Sequence, residues 1–142
     1  MWGTVYSVAR FLMPLLFIYA GITKFMNIGG IARTLQASGL PLPQIELFGV
    51  SRFALLGYLV ALIEVVCGVM VALGYRTRAA ALVLALFTVA TIVVGHPFWT
   101  MDGAARAANL MQALKNLSII SGLLIVAALG PGRHALDNRG RG

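Results

Sequence analysis

Apolar positions gather into four runs, at about residues 4–25, 53–75, 79–100 and 107–129, separated by short breaks rich in arginine, glycine and proline. A helix needs about 20 consecutive apolar residues to cross the hydrocarbon core of a bilayer. Each run meets that length, and none alternates with the period of two that marks a half-buried strand. The pattern predicts an all-α, integral membrane four-helix bundle. Residues 1–142 leave room for four crossings and little else, so a single domain is expected.

Within the runs, the few polar positions fall on defined faces. In the first, Arg10, Pro14, Phe17, Gly21 and Lys24 are spaced 4, 3, 4 and 3 apart and share one side of a helix. That side is expected to look inward, with Leu, Ile and Val toward lipid. In the second, Gly57, Ala61, Glu64, Gly68 and Ala72 form a stripe of small residues holding one carboxylate. Small residues let helices approach closely in membranes, so this stripe is expected at a helix–helix contact. In the fourth, Lys115 and Ser118 share a face with Gly122.

The breaks carry their own signals. Glycines and prolines punctuate residues 27–52, and between them Ile31, Ala32 and Leu35 form one face of a short amphipathic or re-entrant segment over about residues 30–45. Gly74-Tyr75-Arg76-Thr77-Arg78 reads as a tight turn. Pro97 ends or breaks the third helix, and Phe98-Trp99 fits an interfacial aromatic belt. The first run reads as an uncleaved helix rather than a signal peptide, because Arg10 lies inside it and Ile18-Tyr19-Ala20 is a poor cleavage site.

Composition sharpens this picture. Hydrophobic residues are 60% of the chain and charged residues 11%. The net charge of +7 is carried by arginines flanking the apolar runs, so a lipid bilayer rather than nucleic acid is the expected partner. Arg76, Arg78, Arg133, Arg139 and Arg141 fall on the side of both termini, against Lys24, Arg33, Arg52 and Arg106 on the other. The positive-inside rule then places both termini in the cytoplasm of a multi-pass protein. A single cysteine, Cys67, excludes a CxxC redox pair and reads as a packing residue.

The charges inside the runs are the candidate chemistry. An ionised carboxylate at a helix centre is costly and marks a functional site by default. Counted from the outer end of each helix, Glu64 lies about 17 Å deep, Lys115 about 12 Å and Arg10 about 22 Å. These depths predict a buried polar network of Arg10, Glu64 and Lys115, with Asn116 beside it. Such a network either fixes helix register or lines a site for a small ligand, a quinone headgroup or a proton path. His96 and Lys24 are candidate quinone or proton contacts, histidine because it titrates near neutrality. No catalytic residue is assigned. A metal site is not expected: one cysteine cannot supply thiolate ligands, and His96 and His134 belong to opposite membrane faces.

With these positions in place the chain resembles the DoxX family over nearly its whole length. The resemblance rests on Arg10, Ala20-Gly21, Lys24-Phe25, Glu64, Gly68, Leu73-Gly74-Tyr75-Arg76-Thr77-Arg78, His96, Lys115-Asn116-Leu117, Gly130-Pro131-Gly132-Arg133 and Leu136-Asp137. It implies a small bacterial inner-membrane protein, a subunit of a quinone-linked redox or respiratory system. Redox activity would require a bound quinone or a partner subunit. The alternative is a noncatalytic scaffold or assembly subunit, and a further rival is a small-molecule or proton transporter working as an oligomer. A membrane protein partner or a homo-oligomer is expected.

Overall fold

The computed structural model describes residues 1–138. Six α-helices follow in order: α1 (Trp2–Leu12), α2 (Leu15–Met26), α3 (Ile28–Ala37), α4 (Arg52–Leu73), α5 (Thr77–Gly95) and α6 (Gly103–Leu129). A two-stranded hairpin, β1 (Glu46–Leu47) and β2 (Val50–Ser51), precedes α4. Four segments are long and apolar enough to cross a membrane: Trp2–Met26, Arg52–Leu73, Thr77–Thr100 and Gly103–Leu129. The first combines α1 and α2, which are divided at Met13-Pro14 because proline cannot donate to the preceding turn.

The helix ends depart from the runs in the sequence for local reasons. α5 stops at Gly95 because the residue before Pro97 is pushed out of the helical region, and Phe98–Thr100 forms one 3-10 turn. α6 begins at Gly103, taking Arg106 into its second turn, and its 27 residues span about 40 Å. α3 starts at Ile28, capped by the Asn27 side chain, which accepts from the Gly30 amide at 3.3 Å. It ends at Ala37, and residues 38–45 contain no helix.

α4 is the centre of the bundle, packed against α1, α2, α3 and α5, while α6 packs chiefly on α5. The core lies among Phe17, Val71, Leu84, Ile120 and Leu123, with Cys67 half-buried at its margin. α4 meets the first span through glycines. A Cβ on Gly21 would lie 2.6 Å from Val65 Cγ2 and 2.8 Å from the Ala61 carbonyl oxygen. A Cβ on Gly68 would lie 2.8 Å from Ile18 and 3.4 Å from the Pro14 carbonyl oxygen. Ile28 and Ile31 of α3 close over Gly57 in the same way, with a Cβ there 3.0 Å from Ile28 Cδ1. The small stripe is therefore the line along which the helices touch.

The chain's two ends meet on one face of the bundle, here the proximal face. The Tyr6 hydroxyl donates to the Gly130 carbonyl at 2.5 Å. Asp137 caps α5 from outside it: Oδ1 accepts from the Arg76 amide at 2.9 Å and Oδ2 from the Thr77 amide at 3.3 Å. Arg76, the residue at the cap position, makes no side-chain cap of its own. The arginines of this face include Arg76, Arg78 and Arg133; Arg139 and Arg141 lie outside the described residues.

Candidate functional site

Glu64 is 4% exposed, at the middle of α4 and between the small residues Ala61 and Gly68. Its partner is Lys24. The Lys24 ammonium donates to Oε1 at 2.8 Å and to Oε2 at 2.7 Å, the sole ion pair found among the described residues by side-chain distance. The register follows from Gly21, which seats α2 against Ala61 and Val65. Lys24 lies one turn beyond that contact, about 5 Å along the axis. A helical side chain leans toward its own N-terminus, which carries the ammonium back to the level of Glu64.

The expected Arg10–Glu64–Lys115 network does not form. Arg10 is 3% exposed and turned toward the proximal face. Its Nη1 donates to the carbonyls of Val71 at 2.5 Å and Ala72 at 2.9 Å, and Nη2 to that of His134 at 2.6 Å. Val71 and Ala72 are in the last turn of α4, where the Val71 carbonyl also accepts from the Gly74 amide at 3.2 Å and carbonyls otherwise lack intrahelical donors. Arg10 is thus a cation closing a helix C-terminus, where the helix dipole favours it. Depth counted at the backbone misplaced it, because the long side chain leans back along α1 toward that face. Lys115 is exposed on α6 and hydrogen-bonds to no described residue. Asn116 lies three and four residues from buried Ala113 and Ile120, hence on the inward side of α6, and its half-buried amide has no hydrogen-bond partner among the described residues.

His96 stands apart from the ion pair, at the C-terminus of α5. Its Nδ1 lies 3.1 Å from Asn109 Oδ1, while Asn109 Nδ2 donates to the Ala105 carbonyl at 3.0 Å. This ties α5 to α6 at the distal face. Asn109 and the capping role of Asp137 escaped the sequence reading. A signal for Asn109 was available, since it lies seven residues before Asn116 and so on the same side of α6. Among the described residues, no group of three or more His, Cys, Asp or Glu is placed to hold a metal ion.

The ammonium of Lys24 has three N–H donors and spends two on Glu64. Its side chain is 24% exposed, against 5% for Glu64. The pair therefore presents one free donor to whatever lies beside it, with a carboxylate behind that donor able to take a proton.

Four apolar spans, with an ion pair between the first and second, define a polytopic helical membrane protein. Residues 5–97 match the DoxX family, and the chain belongs to it. That match includes Arg10, Lys24, Glu64 and His96. The chain is 32% identical over 132 residues to "Inner membrane protein YphA" of Escherichia coli, covering 93% of this chain and 87% of that protein. It is 35% identical over 133 residues to "Inner membrane protein YqjF" of the same organism, covering 92% and 87%. It is also 32% identical over 143 residues to "Uncharacterized membrane protein Rv3486" of Mycobacterium tuberculosis, covering 92% and 77%. No solved structure is significantly similar to the chain.

Proposed function

We propose that this DoxX-family protein is a bacterial inner-membrane subunit of a quinone-linked redox or respiratory system, and that Lys24 and Glu64 hold the quinone headgroup. The supporting observation is the ion pair itself, set within the bundle with one ammonium donor unspent and partly exposed. A quinone carbonyl oxygen is an acceptor without a donor of its own, and that free N–H suits it. The half-buried amide of Asn116, which bonds to no described residue, is the candidate second donor. The quinone would supply the redox chemistry; this chain would bind and orient it and give a proton a resting place on Glu64. His96, bonded to Asn109 near the distal end, suits a proton entry rather than a headgroup contact. In this reading both termini are cytoplasmic, on the side of Arg76, Arg78 and Arg133.

The test is extraction of the protein purified from its native membranes. About one quinone per chain is expected from the wild type, falling below a tenth of that in Lys24→Met while Arg10→Lys retains it. Wild-type protein that is folded and free of quinone would sink the assignment. The alternative, a noncatalytic scaffold, draws on the dense packing of Gly21 and Gly68 around Glu64. It predicts a stoichiometric membrane partner with no ligand, and a pair whose loss affects folding alone.

A further inference from the structure

Lys115 presents a physical problem that the quinone reading leaves untouched. It lies 12 residues from the start of α6, about 18 Å along the helix, and it is exposed. Its stem leans toward the distal face, but the apolar part of α6 begins only near Ala107, so the backbone of Lys115 lies about 12 Å below it and the stem covers only part of that distance. The cation sits within an apolar span with no described residue bonded to it. Such a charge requires a counter-ion.

Among the described residues, no acidic side chain is bonded to it. The chain's four acidic residues are Glu46, Glu64, Asp102 and Asp137. Glu64 is bonded to Lys24 and Asp137 caps α5. Glu46 lies in the hairpin ahead of α4, and Asp102 precedes α6, about 20 Å along the axis from Lys115. A second copy would therefore bring another lysine to the contact and no free carboxylate at the same depth.

The surface around Lys115 suits a helix. Ala104, Ala108, Met111, Lys115 and Ser118 recur at intervals of three or four and are all exposed. Further along the same face, Gly122 comes close to α1, where a Cβ would lie 3.1 Å from Met13 Sδ. α6 packs chiefly on α5, and α2 chiefly on α4. We infer that this exposed face of α6 receives a transmembrane helix of another protein, and that an Asp or Glu in that helix pairs with Lys115. The inference does not rest on quinone binding, and either can fail alone.

The experiment places a photo-crosslinking residue at Ser118 in native membranes, with Leu86 on the outer face of α5 as the lipid-facing control. The expected adduct joins Ser118 to an apolar span of a different protein, with Asp or Glu in the crosslinked peptide. Its yield should fall at least about tenfold in Lys115→Leu, persist in Lys115→Arg, and return when Lys115→Glu is combined with lysine in place of the partner's acid. Adducts with a second copy of this chain, adducts with lipid alone, or an unchanged yield in Lys115→Leu would each overturn the inference. Purified Lys115→Leu should melt at or above the wild-type temperature, since its lysine holds nothing within the chain. A clear loss of thermal stability in that isolated variant would also count against it.

Discussion

Removing one partner of the Lys24–Glu64 pair tests the central geometry directly. At 2.7 Å the gross attraction between the two charges is about 6 kcal/mol for an effective dielectric of 20. Desolvation of two ions offsets much of that, at several kcal/mol per ion. Lys24→Met keeps the bulk of the stem and leaves Glu64, nearly sealed from solvent, without its donor. A loss of about 3 kcal/mol is expected, since breaking a buried pair strands a charge. Glu64→Gln should cost less, about 1–2 kcal/mol, because Lys24 is a quarter exposed and can turn its ammonium outward. The double variant Lys24→Met/Glu64→Leu strands nothing and should lie within about 1 kcal/mol of wild type. The assay is reversible unfolding in mixed micelles by SDS titration, followed by helical circular dichroism. Lys24→Met indistinguishable from wild type, or a double variant whose loss equals the sum of the corresponding single losses, would refute the reasoning.

Other contacts give equally definite expectations. Asp137→Ala should cost about 1–2 kcal/mol in the same titration, as an N-cap deletion does, although residue 137 lies 60 positions from Thr77. Arg10→Lys, with a single ammonium in place of a guanidinium serving three carbonyls, should lose about 1–3 kcal/mol and raise hydrogen exchange in the last turn of α4. Gly74→Ala should be worse than an ordinary helix-end substitution. Gly74 has φ 72°, and a Cβ there would lie 2.5 Å from the Ala135 Cβ, so the folded fraction recovered from membranes should drop sharply. Gly21→Leu should separate α2 from α4 and abolish the Lys24–Glu64 pair, read as loss of crosslinking between cysteines placed on the two helices.

The spans were legible because lipid demands about 20 apolar residues per crossing and the breaks between them are charged. The inward face of the first span was equally legible: Arg10, Pro14, Phe17 and Gly21 are all buried. The partner of Glu64 was harder to read. Lys24 sits near the end of an apolar run and looks like a boundary residue. Yet the chain does not leave the bundle there; it turns at Asn27 and continues as α3 along α4. Gly21 against Ala61 then places Lys24 deeper than its position in the run suggests. Arg10 erred in the other direction, since backbone depth ignores both the reach of an arginine and the open carbonyls at the end of α4. Asp137 was invisible because capping across 60 residues leaves no local pattern.

The union of the chain's ends bears on biogenesis. Arg10 needs the His134 carbonyl, and the α5 N-terminus needs Asp137, at sequence separations of 124 and 60. During synthesis α4 and α5 enter the membrane while residues 130–138 do not yet exist. The turn at Gly74–Arg76 must therefore wait, incompletely closed, until translation has passed residue 137 and α6 is in place. Insertion and locking are separate events in this architecture, and the interval between them is when a membrane quality-control protease would find the bundle easiest to open.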